Sequence, residues 1–301
     1  MIDVLGLTKI YAGKRVVDSL TLEIPKGEIF GLLGPNGAGK STAIRMLCSI
    51  IKADEGEAKI AGFDLFTQQL EIKKRIGYMS QNFGLYEELT VLENIRFYAS
   101  LYGRYDKKQI NELLKTYQID QYANYQAGKL SGGYKQRLSL ACALIHDPEI
   151  IFLDEPTAGI DPLTRKELWD LFFKLSAMGK TLFVTTHYME EASRCNRVAF
   201  LNHGKLVALG TPQALKSSFR DTTAYAFKGD FDLKMIDKLK KSKGVVLVNQ
   251  FGDIVKILID KKLTLTELQN LIKPYTKKHT ITKTEITLED AFIILTQESH
   301  R

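Results

Sequence analysis

Nine consecutive residues constrain this 301-residue chain more than any others: Gly34-Pro35-Asn36-Gly37-Ala38-Gly39-Lys40-Ser41-Thr42 fits the pattern G-x4-G-K-[ST]. The apolar run 29–33 precedes it and a helix-like pattern opens at Ser41, so the segment joins a strand to a helix. Glycines let the backbone curl until its N–H groups converge, and the helix N-terminus adds partial positive charge; together they cradle phosphate. Lys40 is then placed to reach the outer phosphates, and the Ser41 hydroxyl to ligate Mg²⁺. A glycine-rich bend can match such a pattern by chance, but the strand before it and the helix after it favour phosphate binding.

A strand–loop–helix unit belongs in an α/β fold, and the rest of the chain agrees. Strand-like runs near 2–5, 16–24, 29–33, 58–61, 150–153, 182–185, 198–201 and 206–209 alternate with helical patterns at 41–51, 91–102, 132–145 and 162–178. This predicts a mixed sheet with parallel core strands and an antiparallel addition among the early strands, over residues 1–220. After Gly210-Thr211-Pro212 and a short helix to about Phe219, the pattern restarts. Strands at 224–228, 245–248, 254–259 and 280–285 and helices at 231–241 and 265–272 give the order βαββαβ, a ferredoxin-like second domain over 221–301, followed by an apolar helix at 288–295.

Composition narrows the class. With 45% apolar and 26% charged residues the chain is globular rather than disordered or fibrous. Lys and Arg number 42 against 35 acids, a net +7 that suits a polyanion or an anionic membrane face. From residue 221 onward there are 14 basic and 11 acidic residues, too even for a nucleic-acid tail, so no nucleic acid is expected as a partner. Cys48, Cys142 and Cys195 are odd in number and widely spaced, which predicts free thiols in a reducing compartment. The start lacks a basic stretch followed by an apolar one, and no window approaches ~18 continuous apolar residues. If the protein works on a membrane, another chain is expected to cross it.

A second chemical element is Ile150-Ile151-Phe152-Leu153-Asp154-Glu155-Pro156, four apolar residues ending in two carboxylates. In a parallel sheet ligands bind beyond the carboxyl ends of the strands, so Asp154 emerges beside the phosphates and can hold Mg²⁺. Glu155 points elsewhere and is placed to polarise an attacking water. The third element, Leu130-Ser131-Gly132-Gly133-Tyr134-Lys135-Gln136-Arg137, begins an amphipathic helix 23 positions before Asp154 and offers a hydroxyl and free backbone N–H groups to an anion.

That third element resembles the signature sequence of ATP-binding-cassette (ABC) ATPases, and the resemblance covers residues 1–220. It implies a P-loop NTPase core with a helical subdomain at about 82–140, ATP as substrate and Mg²⁺ as cofactor. Residue by residue it implies that Gln81 senses Mg²⁺, Asp161 crosses a dimer interface, His187 contacts the γ-phosphate and Tyr11 stacks on adenine. The bland alternatives are a solvated strand end for Gln81, a helix cap for Asp161, a helix start for His187 and a core aromatic for Tyr11. Tyr134 stands where the commonest signature has Gln, and Ile160 where Leu is more usual; neither removes a phosphate contact. The Tyr-Lys-Gln-Arg continuation and the tail Leu288-Glu289-Asp290-Ala291-Phe292 resemble the ABC-2, or drug-resistance, exporter branch.

The resemblance further implies that the phosphate loop and the signature loop of one chain serve different ATP molecules, so two copies form a head-to-tail sandwich. Its implied partner is an integral membrane permease on a separate chain, with this subunit peripheral on the cytoplasmic face of the plasma (inner) membrane. The segment 82–89, apolar within a loop, is the expected docking surface. The competing readings are a soluble ABC-type ATPase acting on ribosomes or nucleic acid, and the cassette of an importer.

Overall fold

The computed structural model describes residues 1–104, 106–276 and 279–298. The chain divides into two compact units, Met1–Leu209 and Gly210–Arg301.

The first unit opens with strands β1 (Ile2–Tyr11), β2 (Lys14–Ile24) and β3 (Ile29–Leu33), then α1 (Lys40–Leu47), β4 (Glu55–Ile60), β5 (Phe63–Asp64), α2 (Gln69–Lys73) and β6 (Ile76–Met79). Helices α3 (Val91–Leu101), α4 (Lys107–Thr116) and α5 (Gly132–Leu144) follow without a strand between them. The unit closes with β7 (Ile150–Asp154), α6 (Pro162–Ala177), β8 (Thr181–Thr186), α7 (Met189–Ala192), β9 (Arg197–Asn202) and β10 (Lys205–Gly210).

Two sheets result. The early strands form an antiparallel sheet in the order β2-β1-β4-β5, and six strands form a second in the order β10-β9-β3-β8-β7-β6. In the second sheet β9, β3, β8, β7 and β6 run parallel. Every residue of β3, β7 and β8 is buried, which is why these strands read as continuous apolar runs rather than alternating ones. Helix α1 buries Ala43, Ile44, Met46 and Leu47 in a core shared with Ile2, Leu7 and Leu20 of the antiparallel sheet and Phe30, Phe152 and Phe183 of the parallel one. A helix apolar on so much of its circumference is packed between the two sheets.

The expected segments are displaced mainly at their ends. Helix α1 stops at Leu47 rather than 51 because Ser49 adopts a left-handed φ of 55°. Elements outside the sequence expectation include β5, α2, α4 and α7. Helix α4 carries an apolar stripe at Ile110, Leu113, Leu114 and Tyr117 that the sequence expectation does not use, and β5 is a two-residue edge.

In the second unit α8 (Pro212–Ser217) leads into β11 (Thr222–Gly229), α9 (Leu233–Lys240), β12 (Val245–Phe251), β13 (Ile254–Asp260), α10 (Leu265–Ile272), β14 (His279–Thr284) and α11 (Leu288–Glu298). The sheet order is β12-β13-β11-β14, each neighbour antiparallel. One core joins Phe227, Val255, Ile257 and Ile259 to Met235, Leu239, Leu268 and Ile272 of α9 and α10; a second joins Ala224, Leu247 and Leu258 to Ile294 of α11, with Phe219 packed on it. Phe219 belongs to this core, so the division falls at 209/210, ahead of the boundary expected near 220.

Candidate functional site

Register explains how distant sequence segments meet. Along the parallel sheet Leu33 pairs with Thr186, Thr185 with Asp154, and Leu153 with Met79. The residues leaving the carboxyl ends of β3, β8, β7 and β6 are therefore Gly34, His187, Glu155 and Ser80-Gln81, side by side at one edge. This is the crevice where α/β sheets bind ligands.

The loop after β3 is backbone-limited. A Cβ on Gly34 would sit 2.3 Å from the Leu201 carbonyl oxygen, and one on Gly39 would sit 2.5 Å from that of Val16, where φ is also 103°. Only glycine fits either position. Gly39 opens α1, and the loop leads into a cavity of about 350 Å³ lined by Val16, Asn36, Gly37, Gly39, Lys40, Ser41, Thr42, Gln81 and Glu155. Pro35, Asn36 and Gly37 are exposed, and Ala38 is buried with its N–H on the Pro35 carbonyl.

Lys40 is 4% exposed and its ammonium is bound by the carbonyls of Gly34 (2.9 Å) and Pro35 (3.2 Å) and by Glu155 Oε1 (3.0 Å). Asp154 is fully buried. Its Oδ1 accepts from the hydroxyls of Ser41 (3.0 Å) and Thr185 (2.7 Å), while Oδ2 has no hydrogen-bond partner among the described residues. The Asp154 carboxylate also reinforces burial in holding the Cys48 thiol well above its ordinary pKa. Cys48, Cys142 and Cys195 are all unpaired and buried.

Glu155 takes a left-handed φ of 47°, a conformation that costs a non-glycine residue of order 1–3 kcal/mol. The turn swings its carboxylate away from that of Asp154 and is held by its own N–H, which donates to Thr185 Oγ1 at 2.9 Å. Glu155 Oε2 then meets His187 Nδ1 at 3.1 Å and Gln81 Nε2 at 3.4 Å. Lys40, Ser41, Gln81, Asp154, Glu155 and His187 thus form one connected cluster.

The other sequence candidates lie elsewhere. Tyr11 is 47% exposed at the end of β1, under the Lys9 ammonium at 5.1 Å, and does not line the cavity. Ser131 precedes α5 without capping it through its side chain, and Ser131 and Gly132 are exposed. Gly133 abuts Thr164, where a Cβ would approach to 2.6 Å. Asp161 caps α6, accepting from the N–H groups of Leu163 and Thr164 (both 3.0 Å) and the Thr164 hydroxyl (2.6 Å). The Thr164 hydroxyl, and then its N–H, hold the Asp161 carboxyl below its usual range.

Sequence reasoning missed Thr185, which ties Asp154 to Glu155, and Glu191, buried behind His187. Threonine at a strand end and glutamate in a short helix carry no motif, so only the register of β7 against β8 reveals them.

Residues 17–158 match the ABC transporter family. The Nod factor export ATP-binding protein I of Rhizobium sp. (strain N33) is 43% identical over 218 residues, 71% of this chain and 72% of that protein. The chain belongs to the ATP-binding proteins of ABC transporters. This ABC protein is also 42% identical over 220 residues to the probable multidrug ABC transporter ATP-binding protein YbhF of Escherichia coli (strain K12), covering 72% of this chain but only 38% of that protein. Among solved structures, the dimeric bacterial ABC transporter cassette MJ0796 is 31% identical, with a TM-score of 0.64 over 70% of this chain and 98% of that one. The P-loop ABC ATPase fold expected from the signature is therefore that of the first unit. Among the described residues no helix is long and apolar enough to cross a membrane.

Proposed function

We propose that this ABC protein is the ATP-hydrolysing subunit of an ABC-2 type exporter, two copies closing head to tail around ATP to drive a separate membrane permease. The observation that carries this reading is the cluster of Lys40, Ser41, Gln81, Asp154, Glu155 and His187 at the carboxyl ends of four adjacent parallel strands.

Mg²⁺ fits this site: the hydroxyl of Ser41, the amide of Gln81 and the free Oδ2 of buried Asp154 are hard oxygen donors. When bound, the ion neutralises charge on the phosphate oxygens. The loop 34–42 binds phosphates through its N–H groups, and Lys40 turns from Glu155 toward the outer phosphates. Glu155 takes the proton of the attacking water, and His187 holds the γ-phosphate. Tyr11 stacks on adenine, while Ser131, Gly132, Gly133 and Asp161 act across the dimer interface. Their exposure supports the last assignment, because no residue of Ser131–Gly133 lines the chain's own phosphate-loop cavity.

The exporter direction is supported by the relatives named for multidrug transport and Nod factor export. The permease docks on 82–89, where Tyr86 is 51% exposed and packs edge-on against Phe97 at 5.0 Å. Beside it, a groove of about 380 Å³ is lined by Leu85, Tyr98, Tyr102 and His146. The subunit is peripheral, on the cytoplasmic face of the membrane. The first unit, Met1–Leu209, forms the ATPase domain, with α3–α5 as its helical subdomain, and the strand order of the second unit supports a ferredoxin-like accessory domain.

The test is capture of the Glu155→Gln protein from membranes with ATP, followed by mass spectrometry. A polytopic membrane chain is the expected companion; ribosomal proteins or nucleic acid in its place would overturn the transporter reading.

A further inference from the structure

Glu191, in a four-residue helix, is 1% exposed, lies outside the phosphate-loop cavity and is held by hydroxyls from two other segments. Its Oε1 accepts from the hydroxyl of Thr157, two residues beyond Glu155. Its Oε2 accepts from the hydroxyl of Thr186, adjacent to His187, at 2.6 Å. Thr186 Oγ1 in turn accepts from the Tyr188 N–H at 3.0 Å, so the backbone on either side of His187 is fixed to the same carboxylate. Arg165 of α6 lies opposite, with Nε 3.6 Å from Glu191 Oε1 and its guanidinium 4.4 Å from the centre of the Tyr188 ring. That ring lies 4.0 Å from His187.

These contacts join two segments with different proposed tasks. Thr157 begins the loop that ends in Asp161, the residue assigned to the interface, and Arg165 stands one turn into the helix that Asp161 caps. Thr186 and Tyr188 flank the histidine assigned to the γ-phosphate. A buried carboxylate that accepts from both segments and faces a cation on a third element fixes their relative position, because moving either one leaves a buried hydroxyl or charge without a partner.

We propose that Glu191 is a positioning residue that makes the interface loop 157–161 and the switch segment 186–188 move as one body, so that contact with the second copy is transmitted to His187. This rests on the ATPase reading given above for its functional consequence. Its structural content, one carboxylate holding two segments, is independent of that reading.

The test compares Glu191→Gln, Thr157→Val and Thr157→Ser with the unsubstituted 301-residue chain. Glutamine keeps the shape but replaces one acceptor oxygen with an amide that cannot accept from a hydroxyl, and removes the charge facing Arg165. Valine removes the Thr157 hydroxyl, and serine keeps it. Hydrogen exchange followed by mass spectrometry is expected to rise in both 157–161 and 186–190 in Glu191→Gln, with β3 and residues 181–185 unchanged. MgATP turnover is expected to fall by about tenfold in kcat while the affinity for trinitrophenyl-ATP stays within about twofold. Thr157→Val should share both effects and Thr157→Ser neither.

Faster exchange in only one segment or in neither, or a kcat loss matched by an equal loss of nucleotide affinity, overturns the proposal. If the unsubstituted protein does not turn over ATP, the ATPase reading fails by itself, and the exchange measurement still decides whether Glu191 couples the two segments. If Glu191→Gln does not fold, Thr157→Val against Thr157→Ser carries the same two readouts.

Discussion

Lys40 shows how a single side chain connects the phosphate loop to the carboxylate proposed as the base. Its ammonium is buried with two carbonyls and Glu155 as partners, so Lys40→Ala removes both a phosphate ligand and the counter-charge of a buried carboxylate. ATP turnover by the purified variant is expected to fall to background; turnover at the unsubstituted rate would remove the phosphate loop from the reaction. Lys40, Asp154 and Glu155 could be singled out in the sequence because phosphate chemistry calls for those types at those spacings, and the structure brings them together. The residues that hold them were not. Thr185 acts through a cross-strand register, and Glu191 through tertiary contacts with Thr157 and Thr186, and neither arrangement leaves a local pattern. The left-handed φ of Glu155 is likewise invisible beforehand, since nothing in Asp-Glu-Pro announces it.

Among the elements, α3 is the one whose cap and core serve the proposed docking surface. Thr90 and Glu93 form a reciprocal capping box at its N-terminus, a pairing that favours helix initiation here. One turn in, fully buried Asn94 accepts from the Tyr86 N–H (3.0 Å) and donates to the carbonyls of Tyr86 (2.9 Å) and Thr90 (3.0 Å), stapling the loop to the helix. Asn94→Ala leaves the part-buried Tyr86 N–H and carbonyl without this partner, while the Thr90 carbonyl keeps the Asn94 backbone N–H, at a cost of about 1–3 kcal/mol. The expected outcome is a lower unfolding midpoint and faster proteolysis within 82–89, measured by thermal melt and limited digestion; an unchanged digestion pattern would show that Asn94 does not hold the loop. At this scale, strands with continuous apolar runs and helices with apolar faces could be read from sequence, and α4 was equally legible through Ile110, Leu113, Leu114 and Tyr117 at helical spacing, whereas two-residue β5 has too few residues to show a period.

At the scale of the whole molecule, the proposed machinery is divided over surfaces that do not meet in one chain. The cavity beside Lys40 contains none of Ser131, Gly132 or Gly133, although these offer an uncapping hydroxyl and exposed backbone at a helix N-terminus, the chemistry that binds an anion. A second copy, turned head to tail, would supply them. Glu155→Gln keeps the loop, Lys40, Ser41 and Asp154 and removes the carboxylate charge that pairs with Lys40 and that is proposed to take the proton from water, so the expectation is that nucleotide binds but is not consumed. Bound ligand that persists stabilises whichever state holds it best. Light scattering of Glu155→Gln is therefore expected to report a monomer without nucleotide and a dimer with ATP and Mg²⁺, with ADP failing to produce the larger species. A variant that binds ATP yet stays monomeric would sink the sandwich arrangement while leaving the phosphate site intact.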